Sequence, residues 1–259
     1  MDFFTWHDIT TGSHPLTQPS VLCIGAFDGP HKGHRDLFDS VLAYADGQQL
    51  ASGVVTFSTP PKAVNDPSHF SGCLSTLEQK KEYFAKAGFQ FLVVIDFTEE
   101  IKTMDGLAFL ECIRKAFDIR CLFSGQDFRC GYRAATGFQQ ISDFCRQNHM
   151  AYQVIADTKA IGAGKVSSTG IRQCIAAGDF SLARELLGYD WVLDLRGLPV
   201  TREGTIDRSA IIQVLPAEGL YPCMVNGEIS ANLEITTQKV AIHTNPLTFV
   251  QNFANIVFV

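Results

Sequence analysis

Residues 21–34 read Val-Leu-Cys-Ile-Gly-Ala-Phe-Asp-Gly-Pro-His-Lys-Gly-His. The apolar run over residues 21–27 is typical of a buried strand, and a helical spacing of apolar residues begins a few positions further on. Gly25, Gly29 and Gly33 allow the backbone to approach another backbone or a ligand closely. The stretch therefore predicts a buried strand, a tight glycine-rich loop and a helix.

Two histidines, His31 and His34, stand three residues apart at the predicted start of this helix, so they share a face. Backbone N–H groups at a helix start favour an anion such as phosphate. Two imidazoles there can donate hydrogen bonds to a triphosphate while charge moves to a leaving pyrophosphate. The alternative is a pair of exposed histidines beside a turn. Asp28 either orients this loop or a metal ion, or is a plain turn residue.

Outward from this stretch, short apolar runs alternate with amphipathic runs from about residue 20 to residue 188. The predicted strands are 21–27, 52–57, 91–97, 119–123 and 152–155. The predicted helices are 37–44, 75–86, 107–117, 138–147, 169–177 and 181–187. Such alternation predicts an α/β fold in which helices cover both faces of a parallel sheet. Ligands in such sheets bind at the carboxyl ends of the strands.

The C-terminal part has a different pattern, with short β-runs and turn signals. These runs are 206–215, 220–225, 229–236, 239–243 and 256–259, and Asn226-Gly227 is a good hairpin turn. We therefore predict a Rossmann-like domain over 1–190 and a small, mostly antiparallel β appendage over 191–259.

The composition of the chain argues against several classes of protein, among them duplex nucleic-acid binders and membrane proteins. The 259 residues are 46% hydrophobic and carry a net charge of −6, without the basic stripe of a duplex nucleic-acid binder. Eight cysteines, none spaced Cys-x-x-Cys, indicate free thiols in a reducing compartment. Met1-Asp2-Phe3-Phe4 has no leader-peptide pattern, and no apolar run approaches the ~20 residues that span a bilayer. We expect a cytoplasmic protein with no membrane or nucleic-acid partner, and a monomer is compatible with the sequence.

A second candidate phosphate site is Val166-Ser167-Ser168-Thr169-Gly170-Ile171-Arg172. Ser168 or Thr169 can cap a helix whose N–H groups face a phosphate, and Arg172 can reach the same anion as a planar fork. The alternative is a simple helix cap with an exposed arginine.

These motifs together resemble the bacterial FAD synthetase family. The Gly-x-Phe-Asp-Gly-x-His-x-Gly-His pattern of residues 25–34 looks like its adenylyltransferase module, and His-x-Gly-His marks the wider nucleotidyltransferase superfamily. Residues 125–131 (Gly-Gln-Asp-Phe-Arg-Cys-Gly) are similar to the family's Gly-x-Asp-Phe-Arg-Phe-Gly loop. Residues 167–172 match its Ser-Ser-Thr-x-Ile-Arg motif, and residues 183–188 match the helix end that closes the module. The resemblance covers roughly residues 20–190.

The resemblance implies an enzyme that transfers AMP from ATP to FMN, giving FAD and pyrophosphate. It implies three catalytic residues, His31, His34 and Arg172. It implies ATP contacts from Gly25, Phe27, Asp28, Gly29, Gly33, Ser167, Ser168 and Thr169. It implies FMN contacts from Phe57, Gly125, Asp127, Phe128 and Arg129. For Phe57 the alternative is core packing, and for 127–129 it is a solvated turn. We expect Mg²⁺ to be held by substrate phosphates, because the sequence offers no dedicated carboxylate cage.

The chain departs from the family in three places. Residues 56–61 read Thr-Phe-Ser-Thr-Pro-Pro, where the family has Thr-Phe-Asp-Pro-His-Pro. Cys130 replaces a phenylalanine. The Gly-x-Pro-Thr-Ala-Asn segment of the family's riboflavin kinase barrel is missing, and 197–201 (Gly-Leu-Pro-Val-Thr) is the nearest candidate. Residues 216–221, which include Gly-Leu-Tyr, do resemble that barrel's Gly-Val-Tyr strand. We predict a truncated barrel without kinase activity.

Three other functions stay open at this point. A bifunctional riboflavin kinase/FAD synthetase would retain the kinase. Another nucleotidyltransferase, of the cytidylyl- or pantetheine-phosphate type, would use the same chemistry on a different acceptor. A non-catalytic flavin or nucleotide sensor would fit the altered 58–61 loop.

Overall fold

The computed structural model describes residues 1–13, 18–156, 166–244 and 254–259. In these ranges the first sheet has six strands, all parallel: β1 (Asp2–Thr5), β2 (Ser20–Ile24), β3 (Ala51–Phe57), β4 (Phe91–Ile95), β5 (Ile119–Gly125) and β6 (Ala151–Ile155). Their spatial order is β1-β4-β3-β2-β5-β6. Strands β2 to β5 are buried along almost their whole length, which explains their continuous apolar sequences.

The strand order reverses between β2 and β5. Strands β2, β3 and β4 follow one another toward one edge of the sheet, whereas β5 and β6 continue toward the other. β2 and β5 lie side by side, with Cys23 opposite Phe123. A crevice at such a reversal is where open α/β sheets bind ligands. The loops that follow β2 and β5 therefore flank the expected ligand site.

Helices cover both faces of this sheet. The helices are α1 (Trp6–Thr11), α2 (Lys32–Gln48), α3 (Pro61–Asn65), α4 (Leu77–Ala87), α5 (Glu99–Thr103), α6 (Gly106–Ala116), α7 (Phe138–Gln147), α8 (Ser168–Ala176) and α9 (Phe180–Leu187). On one face Phe38 of α2 and Phe84 of α4 pack over the sheet. On the other face Ile113 of α6 and Ile141 of α7 complete a second core.

The second sheet is antiparallel throughout its described pairs. Its strands are β7 (Val192–Asp194), β8 (Thr205–Asp207), β9 (Gly219–Val225), β10 (Ile229–Ile235), β11 (Lys239–Thr244) and β12 (Asn255–Phe258). The order is β7-β12-β9-β10-β11-β8. Asn226 and Gly227 connect β9 to β10 with positive φ at both positions, as the sequence predicted for a tight hairpin.

The predicted fold class is confirmed: a Rossmann-like parallel sheet with helices, and an antiparallel sheet in the C-terminal region. Strand β1 and helix α1 were not predicted. Strand β1 has four residues and is mostly exposed, so it has no apolar run to reveal it. Strand β7 was also missed: it is buried, but its three residues are too few to show a strand pattern.

Two local predictions were wrong. The helix predicted over 75–86 begins later, at Leu77, because Thr76 is its cap residue and pairs with Gln79. The run 206–215 is not one strand, because the Asp207 carboxylate accepts hydrogen bonds from Ser209 and closes a short 3-10 turn after β8.

The hydrophobic core crosses the predicted domain boundary at 190/191. Ile171 and Ile175 of α8 and Leu187 of α9 are buried with residues of the second sheet such as Leu193 and Val225. The division into 1–190 and 191–259 stays a prediction.

All eight cysteines are free thiols. Within the ranges that the structure describes, none of the helices has the length and apolar character to span a bilayer.

Candidate active site

The loop after β2 is folded tightly over the core. Phe27 and Gly29 both have positive φ, 43° and 62°. The Phe27 ring is buried beneath Gly25, where an added Cβ would come within 2.7 Å of a ring carbon. A Cβ on Gly29 would come equally close to the side chain of Leu74. Packing of the loop itself thus demands glycine at both positions, and Phe27 supports the loop from the core side.

His31 and His34 lie against each other at the start of α2. Their rings are stacked, with centroids 3.8 Å apart and planes 15° apart. The backbone N–H of His31 donates to Nδ1 of His34 at 3.4 Å. The ring of Phe27 meets His34 edge-on, with centroids 5.2 Å apart. The prediction that the two imidazoles share a face is confirmed.

His34 presents a neutral donor at pH 7. Burial, and then the neighbouring His31, hold the pKa of His34 well below its usual 6.5. Because Nδ1 accepts a hydrogen bond, the proton of the neutral ring lies on Nε2. An N–H donor of this kind can hydrogen-bond a phosphate oxygen without carrying charge of its own.

Asp28 and Arg172 form a buried ion pair, although 144 positions separate them. The carboxylate of Asp28 also accepts from the backbone N–H groups of Leu74 (2.9 Å) and Ser75 (3.2 Å). Burial raises the pKa of Asp28, and the charges of Arg172 and Lys80 oppose that shift. Asp28 therefore fastens the loop to two distant parts of the chain.

Arg172 is held from several sides. Besides Asp28, its Nε donates to the carbonyl of Gly72 at 2.7 Å, and its guanidinium lies over the ring of Phe70 at 4.8 Å. Only 8% of the residue is exposed. From the sequence we predicted that the Arg172 guanidinium binds a phosphate. In the structure it contacts Asp28 and Gly72 and so holds the loop after β2 in place.

The start of α8 is attached to the same loop. Ser167 is the cap residue, accepting from the N–H of Gly170 at 3.2 Å, so the prediction of Ser168 or Thr169 as cap was wrong. Ser168 instead donates to the backbone carbonyl of Asp28 at 2.8 Å, and Thr169 is exposed.

The starts of α2 and α8 are neighbours. A Cβ on Gly33 would lie 3.4 Å from the carbonyl oxygen of Val166, just before α8, and 3.0 Å from the His31 ring. Glycine at position 33 permits this close approach. Two helix N-termini beside two histidines form a site suited to a polyphosphate.

A cavity of about 700 Å³ lies next to this loop, at the carboxyl ends of β3 to β5. Five aromatic rings line it: Phe57, Phe97, Phe109, Phe128 and Tyr132. Its cationic side chains are Lys102, Arg129 and Arg133. The volume suits a molecule of cofactor size. The loop of residues 25–34 is here named the histidine loop. Its residue Ala26 is part of the same lining, so the cavity and the histidine loop are contiguous.

Four of the five residues predicted to bind flavin line this cavity: Phe57, Asp127, Phe128 and Arg129. Gly125 does not, but its carbonyl accepts from the N–H of Phe128 at 3.1 Å and turns the chain toward the cavity. Phe57 is also buried in the core, as its alternative interpretation expected.

The loop after β5 is shaped by its own contacts. Arg129 donates through Nε to the carbonyl of Ala134 at 2.8 Å. Arg133 and Ala134 both have positive φ, which is uncommon outside glycine. Cys130, where the family has phenylalanine, packs against the core of the first sheet.

Lys80 is a site residue that the sequence analysis missed. The side chain of this α4 residue is fully buried, and Nζ donates to the carbonyl oxygens of Ala26 (3.2 Å) and Phe57 (2.9 Å). Burial lowers the pKa of Lys80, and the nearby Asp28 opposes that effect. Lys80 therefore joins the histidine loop to the strand end beside the cavity. The only sequence signal was its i, i+4 spacing from the buried Phe84.

The altered loop after β3 retains a carboxylate nearby. Ser58 stands where the family has aspartate, and its hydroxyl donates to Asp96 at 2.6 Å. Asp96 follows the neighbouring strand β4. Among the described residues, no group of three or more His, Cys, Asp and Glu side chains is arranged to hold a metal ion.

A separate cavity of about 720 Å³ lies between α4 and the second sheet. Tyr83, Tyr189 and Trp191 are among its lining residues. None of the predicted site residues lines it.

The chain is similar to known proteins over most of its length. The sequence model of the FAD synthetase family matches residues 13–170. A bifunctional riboflavin kinase/FMN adenylyltransferase of Listeria monocytogenes is 28% identical over 201 residues, which are 74% of this chain and 60% of that protein. A protein of the same name from Escherichia coli is 27% identical over 230 residues, 83% of this chain and 72% of that protein. The chain thus spans less than two thirds of the Listeria bifunctional protein.

Two further relatives match the chain over most of their length. A FAD synthetase of Listeria monocytogenes is 24% identical over 214 residues, 82% of this chain and 84% of that protein. A crystal structure titled macrolide-efflux protein, from Streptococcus pneumoniae, has the same fold, with a TM-score of 0.75, 22% identity and coverage of 100% of this chain and 98% of that one. On the family match over residues 13–170, the chain belongs to the FAD synthetase family.

Proposed function

We propose that the protein is an FMN adenylyltransferase. The observation that carries this proposal is the contiguity of two features: an aromatic-lined cavity of about 700 Å³ and the histidine loop, which share Ala26. The cavity suits an isoalloxazine ring with its ribityl phosphate, and the loop suits a triphosphate. FMN in the cavity would direct its phosphate toward an ATP bound at the loop.

The reaction is an in-line displacement at phosphorus. A phosphate oxygen of FMN forms a bond to the α-phosphorus of ATP, and the bond from that phosphorus to the α,β-bridging oxygen breaks. Pyrophosphate leaves with the bonding electrons, so no proton acceptor and no covalent enzyme intermediate are required. The protein contributes position and charge stabilisation.

We assign the charge stabilisation to His31 and His34, with the N-termini of α2 and α8. Neutral His34 donates from Nε2, and the helix N-termini favour the charge that develops on pyrophosphate. Arg172 belongs to the same site, where its contacts with Asp28 and Gly72 favour a loop-holding role. Mg²⁺ enters with ATP, held by phosphate oxygens and water.

We further propose that the second sheet has no riboflavin kinase activity. The sequence lacks the Gly-x-Pro-Thr-Ala-Asn segment of that family's kinase. The bifunctional relatives make dual activity the competing proposal.

One assay separates these functions: chromatography of products after incubation of the purified protein with ATP, Mg²⁺ and either FMN or riboflavin. FAD from FMN alone supports the proposal. FAD or FMN from riboflavin means that the kinase is retained. If neither flavin reacts, a screen of other nucleotides and phosphorylated acceptors tests a different transferase, and flavin binding without pyrophosphate release indicates a sensor.

A further inference from the structure

Residues 72–76, here named the bridge segment, run between the histidine loop and the second sheet. On one side, Leu74 and Ser75 donate their backbone N–H groups to Asp28. The hydroxyl of Ser75 accepts from the N–H of Gly29 at 3.0 Å. Together with the bond from Arg172 to Gly72, these contacts attach the loop to the bridge segment along most of its length.

On the other side, the second sheet and the chain that leads into it hold the same segment. Cys73 pairs with 212–214 as an isolated parallel bridge: its N–H donates to the carbonyl of Ile212, and its carbonyl accepts from the N–H of Val214, both at 2.8 Å. The hydroxyl of Thr76 donates to Asp194 of β7 at 2.6 Å. A Cβ on Gly72 would come within 2.5 Å of the backbone of Val214, so the two stretches are in close contact.

Leu74 has a backbone contact on each side. Its N–H is bonded to Asp28 at 2.9 Å, whereas its carbonyl accepts from the indole of Trp191 (2.9 Å) and the side-chain amide of Gln213 (3.0 Å). Leu74 is 2% exposed, and its side chain lies in the core of the second sheet. A displacement of Leu74 therefore moves a backbone N–H group that donates to the Asp28 carboxylate.

Gln213 is itself fixed in place. It is buried, its amide also donates to the carbonyl of Val192 at 3.0 Å, and its oxygen accepts from the N–H of Asp194 at 2.7 Å. A side chain with its polar atoms bonded in this way has a single preferred orientation. The orientation of the Trp191 ring is also fixed, by its hydrogen bond to Leu74 and by stacking with Phe180 and Phe258.

We propose that Trp191 and Gln213 are positioning residues for the nucleotide site: through the carbonyl of Leu74 they hold the bridge segment, and with it Asp28 and the histidine loop, in the geometry needed for catalysis. This inference rests on the proposed adenylyl transfer. It assigns to the C-terminal region a function that requires no kinase activity. Residues of that region hold the histidine loop in place, although they lie outside the parallel sheet that carries the loop.

The test uses two variants of the full chain, Trp191→Phe and Gln213→Leu. Each variant fills the position with an apolar side chain and removes a donor to the Leu74 carbonyl. The matched control is Ile235→Val, at a buried core position of β10, because this apolar side chain makes no hydrogen bond and the change therefore removes none from the bridge segment. Where Gln213→Leu fails to fold, Trp191→Phe alone decides.

Two readouts are compared at temperatures where all variants are folded. Steady-state kinetics with ATP and FMN should show kcat/KM for ATP about tenfold lower in both variants, with KM for FMN unchanged. Hydrogen exchange should be faster at the N–H groups of Gly29 and Leu74, which bond to Ser75 and Asp28. The control should match the wild type in both readouts, whatever its loss of thermal stability.

The inference is overturned if Trp191→Phe and Gln213→Leu lower only the melting temperature, as the control does, and leave exchange and the kinetic split unchanged. If the wild type makes no FAD, the proposed function fails separately. Exchange at Gly29 and Leu74, and binding of a non-hydrolysable ATP analogue, then still decide whether the second sheet positions the loop.

Discussion

The ammonium group of Lys80 lies 2.9 Å from the carbonyl oxygen of Phe57, in a position with no exposed surface. Its second bond reaches Ala26. A fully buried lysine is rare unless its donors are satisfied, and here they join the loop after β2 to the end of β3. The contact makes the spacing between the histidine loop and the aromatic-lined cavity depend on one side chain.

Lys80→Met should therefore lower both stability and activity. The change removes the lysine donor from the buried carbonyl of Phe57 and one of two donors from the carbonyl of Ala26, and we expect the free energy of unfolding to fall by about 2 kcal/mol. Urea unfolding measures this, and FAD formation should fall with it. Lys86→Met, an exposed lysine on the same helix, is the control and should change neither quantity. Equal behaviour of the two variants would contradict the structural role of Lys80.

The buried pair of Asp28 and Arg172 gives a second prediction. Arg172→Met leaves the Asp28 carboxylate buried without its cation and should cost about 3–5 kcal/mol of unfolding free energy. Replacing both residues, with Asp28→Asn added, should cost less than the sum of the single changes, because the second change removes the unpaired charge. Urea unfolding of the two single variants and the double variant measures this coupling, and purely additive costs would show that the pair is not coupled.

His31→Ala tests the proposed chemistry. Removal of one donor to the transferred charge should lower kcat of the folded variant by about 10²–10³. His243→Ala, an exposed histidine of the second sheet, is the matched control and should leave the rate of FAD formation unaltered. Turnover close to that of the wild type in His31→Ala would count against the assignment.

The two histidines show which part of the site could be predicted from sequence. Their stacking depends on a spacing of three within one helical turn, which is local information. Lys80 could not be found in the same way, because its burial depends on carbonyl groups 54 and 23 positions away. For the same reason the sequence did not reveal that the guanidinium of Arg172 is bound within the protein: its partner, Asp28, is 144 positions away.

The low pKa of His34 predicts how stability depends on pH. In the unfolded chain this imidazole binds a proton near pH 6.5, whereas in the native state burial and His31 delay protonation to lower pH. Between these two values the unfolded state binds more protons, so the free energy of unfolding rises with pH and is lost on acidification. The contribution of one such group is at most about 1.4 kcal/mol per pH unit.

Urea unfolding between about pH 5 and pH 7.5 measures this dependence. His34→Gln should flatten the pH profile in the acid part of that range, because the group that titrates only in the unfolded state is gone. Gln48→Ala, at an exposed position of the same helix without a titratable group, should keep the slope of the wild type. The explanation is wrong if both variants have the same profile.

The proposed binding of FMN in the aromatic-lined cavity can be tested apart from the proposed ATP site through Phe128. Its ring lines the cavity, and loss of one aromatic surface from a stacked ligand raises the dissociation constant by about tenfold. We expect Phe128→Ala to raise KM for FMN by about that factor while KM for ATP stays unchanged. Phe138→Ala is the control, because that ring is 57% exposed, packs on Tyr152 and is not part of the cavity lining. A parallel rise in KM for ATP, or an equal effect of the control, would mean that FMN does not bind in this cavity.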